Sequence, residues 1–424
     1  MNTPRLPCRG LVAVTVVGAA AAFAGSALSP VGTAQADPGQ RPVQTARNVI
    51  FINGDGMSSA QREAARLYLA GLDGKLGMDQ LAESGTLTTD SRDPKAYVTD
   101  SAAAATAWAT GQKSYNGAIS VDLNRNPLPT LGQQAKAAGK ATGLVTTAQV
   151  TDASPAAFFS QTANRGNQDE IARQYLDNSK PDVILGGGED WWYPAGQAGQ
   201  YPDNPAQDPS EASRGTKGNL VERARQLGYS YVSTPAQLDA ATGSKLLGLF
   251  SNEEMFQQRP EGEGDVYQPV VPLAQMTDKA LKTLETNRKG FFLFVEEEGV
   301  DEFAHDNNAE KMLYSMQQLE AAVAVARSYV TTHPDTLLIV TGDHETGGLA
   351  VEDTSSTDES GTGLSAEDGP FPIKGSDKSF TMDWTTGSHT NLPVPVSAEG
   401  PGADRLSGQH PNTFIHELLS AALR

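Results

Sequence analysis

Short runs of β-branched and aromatic residues recur along the chain, and between them lie stretches with apolar residues at helical spacing. "NVIFIN" (48–53) reads as a buried strand and "AQREAARLYLAGL" (60–72) as the helix after it. "TGLVTT" (142–147), "DVIL" (182–185), "FFLFV" (291–295), "TLLIV" (336–340) and "VPV" (394–396) read as further strands. Helices are expected at "DEIARQYL" (169–176), "LAQMTDKALKTLETN" (273–287), near 309–330 and near 412–423. Strands alternating with helices predict an α/β fold, a mainly parallel sheet covered on both faces. The Gly, Pro, Asn and Asp of 187–217 and the Ser, Gly and Asp of 353–380 predict two loops. Neither has the apolar content to fold alone, so 37–424 reads as one domain.

The start of the chain breaks this alternation. Arg5 and Arg9 precede an apolar run of small residues, and "AQA" precedes Asp37. That order predicts a secretory signal peptide, residues 1–36, cut after Ala36. Gly, Ser and Pro interrupt the run too early for a membrane anchor. Cys8, the single cysteine, would leave with the leader, so the mature chain has no disulfide. The formal charge of −19 becomes −21 as Arg5 and Arg9 leave without any acid. So acidic a protein is ill suited to nucleic acid or anionic membranes. An anionic substrate would need a local positive centre, which bound metal ions could supply.

Candidate chemistry gathers where strands end. Asp55 follows the first strand within "GDGM", Glu296 follows "FFLFV", and Asp343 and His344 follow "TLLIV" within "TGDH". Ligands of parallel sheets bind at the carboxyl ends of strands, so residues distant in sequence can converge there. Asp301 and His305, four apart, would share a helix face, and His389 precedes the "VPV" strand. Asp and His without Cys suit zinc in a catalytic site with open positions. Glu297, Glu298 and Glu302 read as a solvated charge run. His333, His410 and His416 need no function, as helix-end, surface or packing residues.

In "YVTDSAAAATAWATG" (97–111), Asp100 and Ser101 stand before four alanines, the strongest helix formers. On this stretch alone two readings stay open. One of these residues caps a helix, or Ser101 is a nucleophile placed where helix N–H groups favour an anion.

From Asn48 nearly to the C-terminus, the chain resembles the metal-dependent alkaline phosphatases. The resemblance rests on "GDGM", "VTDSAAAATAWATG", "DASPAA", "ILGGG", "GFFLFVE", the Asp and His at 301 and 305, "TGDH" and "HT" with "VPV". It implies a three-layer α/β sandwich, a large, mainly parallel central sheet flanked by helices, in a family often homodimeric. It implies hydrolysis of phosphate monoesters, of broad range, through a phosphoserine on Ser101, with Arg165 gripping the phosphate. Two zinc ions and one magnesium are implied. Asp301, His305 and His389 would hold the first zinc, and Asp55, Asp343 and His344 the second. Asp55, Ser154 and Glu296 would hold the magnesium, with Asp152 behind it.

The chain departs from the family at Ser154, where many members have Thr, and at Glu302, where relatives carry Lys or His. Glu297 and Glu298 replace small residues, and a short segment between His344 and His389 leaves no room for a large extra interface domain. Pointing inward, Glu302 would add negative charge beside bound phosphate. Pointing outward, it joins the acidic run. Rival readings are a relative acting on phosphodiesters or sulfate esters, a serine esterase, and an exported binding protein. The esterase lacks a G-x-S-x-G elbow around Ser101.

Overall fold

The structure is a computed structural model that describes residues 45–201, 212–354 and 367–424. The expected leader, with its cleavage point at Ala36, lies outside the described residues. Ten strands form the central sheet. In spatial order they are Gly408–Pro411, Glu83–Thr88, Val394–Glu399, Thr336–Thr341, Asn48–Gly54, Phe291–Glu297, Ala141–Gln149, Val183–Gly187, Leu246–Leu249 and Ser230–Val232. Their pairings are parallel, except those of Val394–Glu399 with both its neighbours.

The central strands explain the unbroken apolar runs. In Asn48–Gly54 every residue is buried. Ile50 and Ile52 enter the core on one face, and Val49 and Phe51 enter the core on the other. The next strand repeats this with Leu293 and Val295 against Phe292 and Phe294. Helices Ser59–Ala70, Leu273–Leu284 and Ala309–Thr332 cover the first face. Helices Ser101–Thr110, Leu131–Ala137, Ala153–Phe159 and Phe414–Ala422 cover the second. The fold is therefore the expected three-layer α/β sandwich.

Periodicity missed the peripheral strands. The segment expected to be a loop at 353–380 contributes Asp368–Pro372 and the start of Ser379–Asp383, and Ser379–Asp383 pairs antiparallel with Asp368–Pro372 on one side and Ala350–Asp353 on the other in a small second sheet. These strands are short and partly exposed, so they carry no long apolar run.

The helix Ser101–Thr110 is buried along its whole length. Alanine side chains allow it to lie close against its neighbours, while Trp108 meets Phe51 edge-on with ring centroids 5.0 Å apart. Asp100 is its cap, with Oδ1 accepting from Ala103 N at 2.9 Å. The cap role thus falls to Asp100, and Ser101 stands at the first helical position with its hydroxyl uncommitted to capping.

Candidate functional site

The central strand register assembles the site. Asn53 lies level with Glu296 on one side and Thr341 on the other, and Thr146 lies level with Glu296. Asp55, Glu296 and the Asp343–His344 pair therefore arrive at one edge of the sheet. Helix Gly299–His305 follows directly and carries Asp301 and His305 one turn apart. His389 is delivered by a two-residue strand, His389–Thr390, paired with Glu345–Thr346. The turn after the first strand is tight. Gly56 has φ +67°, its N–H donates to Asp343 Oδ1 at 3.0 Å, and a Cβ there would come within 2.8 Å of Asp301 Oδ1. Glycine is required by both the conformation and the close approach.

Two clusters result. In one, Asp301, His305 and His389 offer ligand atoms within 4.8 Å of each other, and in the other Asp55, Asp343 and His344 do the same. They abut, since the His344 and His389 rings stack with centroids 3.6 Å apart. His305 Nδ1 lies 2.9 Å from Gly387 O, and His389 Nδ1 lies 2.9 Å from Thr99 O. A carbonyl only accepts, so both neutral rings carry their proton on Nδ1 and direct a lone pair from Nε2. Those two Nε2 atoms face each other at 3.0 Å. Two lone pairs so placed repel unless a proton or a metal ion lies between them, and anchoring of the distal ring nitrogen is how metal-binding histidines are held. The donor set fits a divalent ion.

The carboxylates tell the same story. Burial first, then Asp343, Asp301 and Glu296, push Asp55 well above the usual carboxylate range. Asp301 is buried too, yet His389, His305 and His344 hold it well below that range. Asp55 Oδ1 and Ser154 Oγ are buried without a hydrogen-bond partner among the described residues. Near Asp55, Glu296 accepts from Asn53 Nδ2 at 3.1 Å and from Thr146 Oγ1 at 2.8 Å. Buried oxygen donors without a partner are the kind of ligand that magnesium prefers.

Ser101 is 4% exposed, and its Oγ lies 3.2 Å from His344 Nε2. Arg165 reaches over the same helix mouth. Its Nη2 meets both oxygens of Asp152 at 3.1 and 2.8 Å, and its Nη1 lies 3.6 Å from Asp100 Oδ2. Asp152 is at the N-cap of helix Ala153–Phe159 but makes no cap bond, because its carboxylate is spent on Arg165. A guanidinium has five N–H donors in a fork, so some remain for an anion.

The expectation of a solvated acidic run is wrong. Glu297 and Glu298 are buried at 0% and 5% exposure. Glu297 accepts from Thr147 Oγ1 at 3.0 Å and from Gly299 N at 3.1 Å, and burial pushes its carboxyl up to about 8. They continue a central strand whose two faces are both covered, so the chain carries them inward. Glu302 is half-buried, and burial, Asp301 and Glu254 push it up to about 8. Sequence reasoning passed over Glu254, Asn53 and Thr146. Asn53 and Thr146 sit inside strand runs, where a polar residue level with Glu296 was the available sign.

Comparisons with known proteins point to one family. The model of the family described as alkaline phosphatase matches residues 46–375. The chain is 35% identical to a streptomycin-6-phosphate phosphatase of Streptomyces griseus, over 89% of this chain and 90% of that protein. It is 32% identical to an alkaline phosphatase of Escherichia coli, over 89% and 86%. Among solved structures, a cold-active alkaline phosphatase from a Shewanella species is similar with a TM-score of 0.72 at 32% identity, over 89% of this chain and 100% of that one. The Thermus thermophilus alkaline phosphatase gives 0.73 at 25% identity, over 94% and 96%.

Proposed function

The chain belongs to the alkaline phosphatase family and is a phosphate-monoester hydrolase, and from that premise we propose that it works through a phosphoserine on Ser101 beside two zinc ions and one magnesium. The observation that carries the reading is the hydroxyl of Ser101 at 3.2 Å from His344 Nε2, at the mouth of a helix and against two converging ligand clusters. Asp301, His305 and His389 would hold one zinc, Asp55, Asp343 and His344 the other, and Asp55, Ser154 and Glu296 the magnesium. When bound, the ions supply Lewis-acid stabilisation to the attacking and departing oxygens.

The chain's own groups do the rest. Arg165 takes two phosphoryl oxygens by its fork and turns phosphorus towards Ser101. Ser101 Oγ, giving up its proton, bonds to phosphorus while the ester P–O bond breaks, and the alcohol leaves with a proton. Water then attacks the phosphoserine, the P–Oγ bond breaks, and inorganic phosphate and the serine are regenerated. Two in-line steps give net retention at phosphorus. The contacts grip the phosphoryl group, so the range of alcohols is broad. Export through the leader at 1–36 and assembly as a homodimer belong to the same reading. No helix among the described residues is long and apolar enough to cross a membrane. Release of inorganic phosphate from an aryl monoester at alkaline pH, compared with a diester and a sulfate at equal metal loading, tests the reaction class. Monoester turnover should dominate.

Two further results are expected. Arg165→Ala should weaken inhibition by inorganic phosphate by roughly 10–100-fold, the worth of a charge-assisted bidentate contact. Unchanged phosphate inhibition would mean that the guanidinium points elsewhere. Glu302→Lys should strengthen phosphate inhibition several-fold, slow turnover and lower KM, because a repulsive charge beside the product becomes attractive. Zinc content should stay constant, since Glu302 is no ligand. If Glu302→Lys and Glu302→Ala both match the wild type in phosphate inhibition at low and high salt, Glu302 does not act on the product.

A further inference from the structure

The three site histidines are all anchored at Nδ1, but not by the same kind of partner. His305 and His389 rest on backbone carbonyls. His344 Nδ1 instead faces the hydroxyl of Thr346 at 3.3 Å. A hydroxyl can donate or accept, so it sets a ring tautomer only when its own proton is committed elsewhere. Here it is committed, because Thr346 Oγ1 donates to Asp301 Oδ1. One arrangement satisfies all three groups: His344 Nδ1–H donates to Thr346 Oγ1, whose proton goes to Asp301. His344 then presents an Nε2 lone pair towards Asp343 and Ser101, 3.1 and 3.2 Å away.

The hydroxyl has no freedom to do otherwise. Thr346 is 0% exposed. Gly56 packs close on one side, where a Cβ would come within 2.9 Å of the Thr346 Oγ1. Its carbonyl accepts from Gln61 Nε2 at 2.7 Å, and its backbone pairs with His389, a ligand of the first cluster. Asp301 belongs to one cluster and His344 to the other. A single side chain therefore spans both.

We propose that Thr346 is a positioning residue that couples the two clusters, its hydroxyl fixing the tautomer of His344 in one and the orientation of Asp301 in the other. The inference rests on the two-metal reading. Fixing Asp301 around an ion in the first cluster fixes the hydroxyl, and with it the His344 lone pair in the second. By linkage, filling the second favours the first equally.

The test is zinc binding by the full chain, in competition with a chelator, for the wild type, Thr346→Val and Thr346→Ser. Cobalt substitution gives an absorption spectrum that reports ligand geometry without reference to activity. The wild type should take up the two site zincs cooperatively. Thr346→Val keeps the shape and loses the hydroxyl. It should lose about 10–100-fold in affinity at the second cluster, the usual cost of removing an outer partner of a ligand, together with the cooperativity. Thr346→Ser should restore both, and its cobalt spectrum should match the wild type. Thr346→Ala serves if the valine variant does not fold, with the metal-free melting temperature as the control for folding. Wild-type affinity and cooperativity in the folded valine or alanine variant would overturn the coupling. A serine variant as impaired as valine would show that the side chain acts by packing alone. A wild-type protein that binds no zinc would overturn the two-metal reading beneath it.

Discussion

Ser101→Ala is expected to lower turnover by about 10³-fold or more while leaving metal content and melting temperature close to the wild type, since losing a covalent nucleophile removes the principal route of reaction. The structure separates the two effects. The ligand atoms of both clusters belong to other side chains. The helix cap belongs to Asp100. Ser101 Oγ touches His344 Nε2 and carries none of the helix's own hydrogen bonds. Alanine is also a better helix former than serine, so the helix should not suffer. Turnover, zinc content and melting temperature measured on the same preparation decide the matter. Near-wild-type turnover with metals in place would remove Ser101 from the reaction.

Stripping the metals should abolish activity, and the stability lost should depend on pH. Ions that bind only the folded state stabilise it by mass action, and for a chain of this size strong binding at two or three sites is worth roughly 10 °C in melting temperature. Burial, then the neighbouring acids, push Asp55 and Glu298 well above the carboxylate range and Glu296 up to about 8. Without metals, the folded state keeps protons on these groups that the unfolded chain loses above its ordinary carboxylate pKa. It binds more protons, so its stability falls as pH rises from about 4.5 to about 8. His305 adds to the fall. Although burial lowers it, Asp301 raises it to about 10, and that stabilisation fades as pH climbs through the raised value. His389, which burial and His344 lower to about 4, works the other way only below its ordinary pKa. The melting-temperature gap between metal-loaded and metal-free protein should therefore widen from pH 5 to pH 9. Zinc should restore activity and magnesium should raise it further. A gap that stays constant or narrows with rising pH, or full activity after exhaustive chelation, would contradict this.

How legible these features were follows from where each residue sits. The central strands were readable because both their faces are covered, which turns them into continuous apolar runs such as Val49–Ile52. Their ends were readable because Asp55, Asp343 and His344 interrupt those runs abruptly. Asp301 and His305 were readable from helical spacing. Outer strands such as Glu83–Thr88, second from the end of the sheet, with polar and small residues and mixed burial, left no comparable mark. Glu297 and Glu298 were misread because three consecutive acids suggest solvent, and only the neighbouring layers show that the strand carries them inside. Thr346 could not be singled out. Its importance lies in facing Asp301 and His344 together, 45 and two residues away, which no local pattern records.

The central claim is that phosphate passes through a covalent bond to Ser101. The most direct measurement is to quench the turning-over enzyme in acid with a phosphate monoester, digest it and locate phosphate by mass spectrometry. Phosphate should appear on Ser101 in the peptide spanning residues 97–111, and be absent from Ser101→Ala. Phosphate on another residue, or an unmodified Ser101 in enzyme quenched during rapid turnover under conditions that preserve a phosphoserine, would contradict the account.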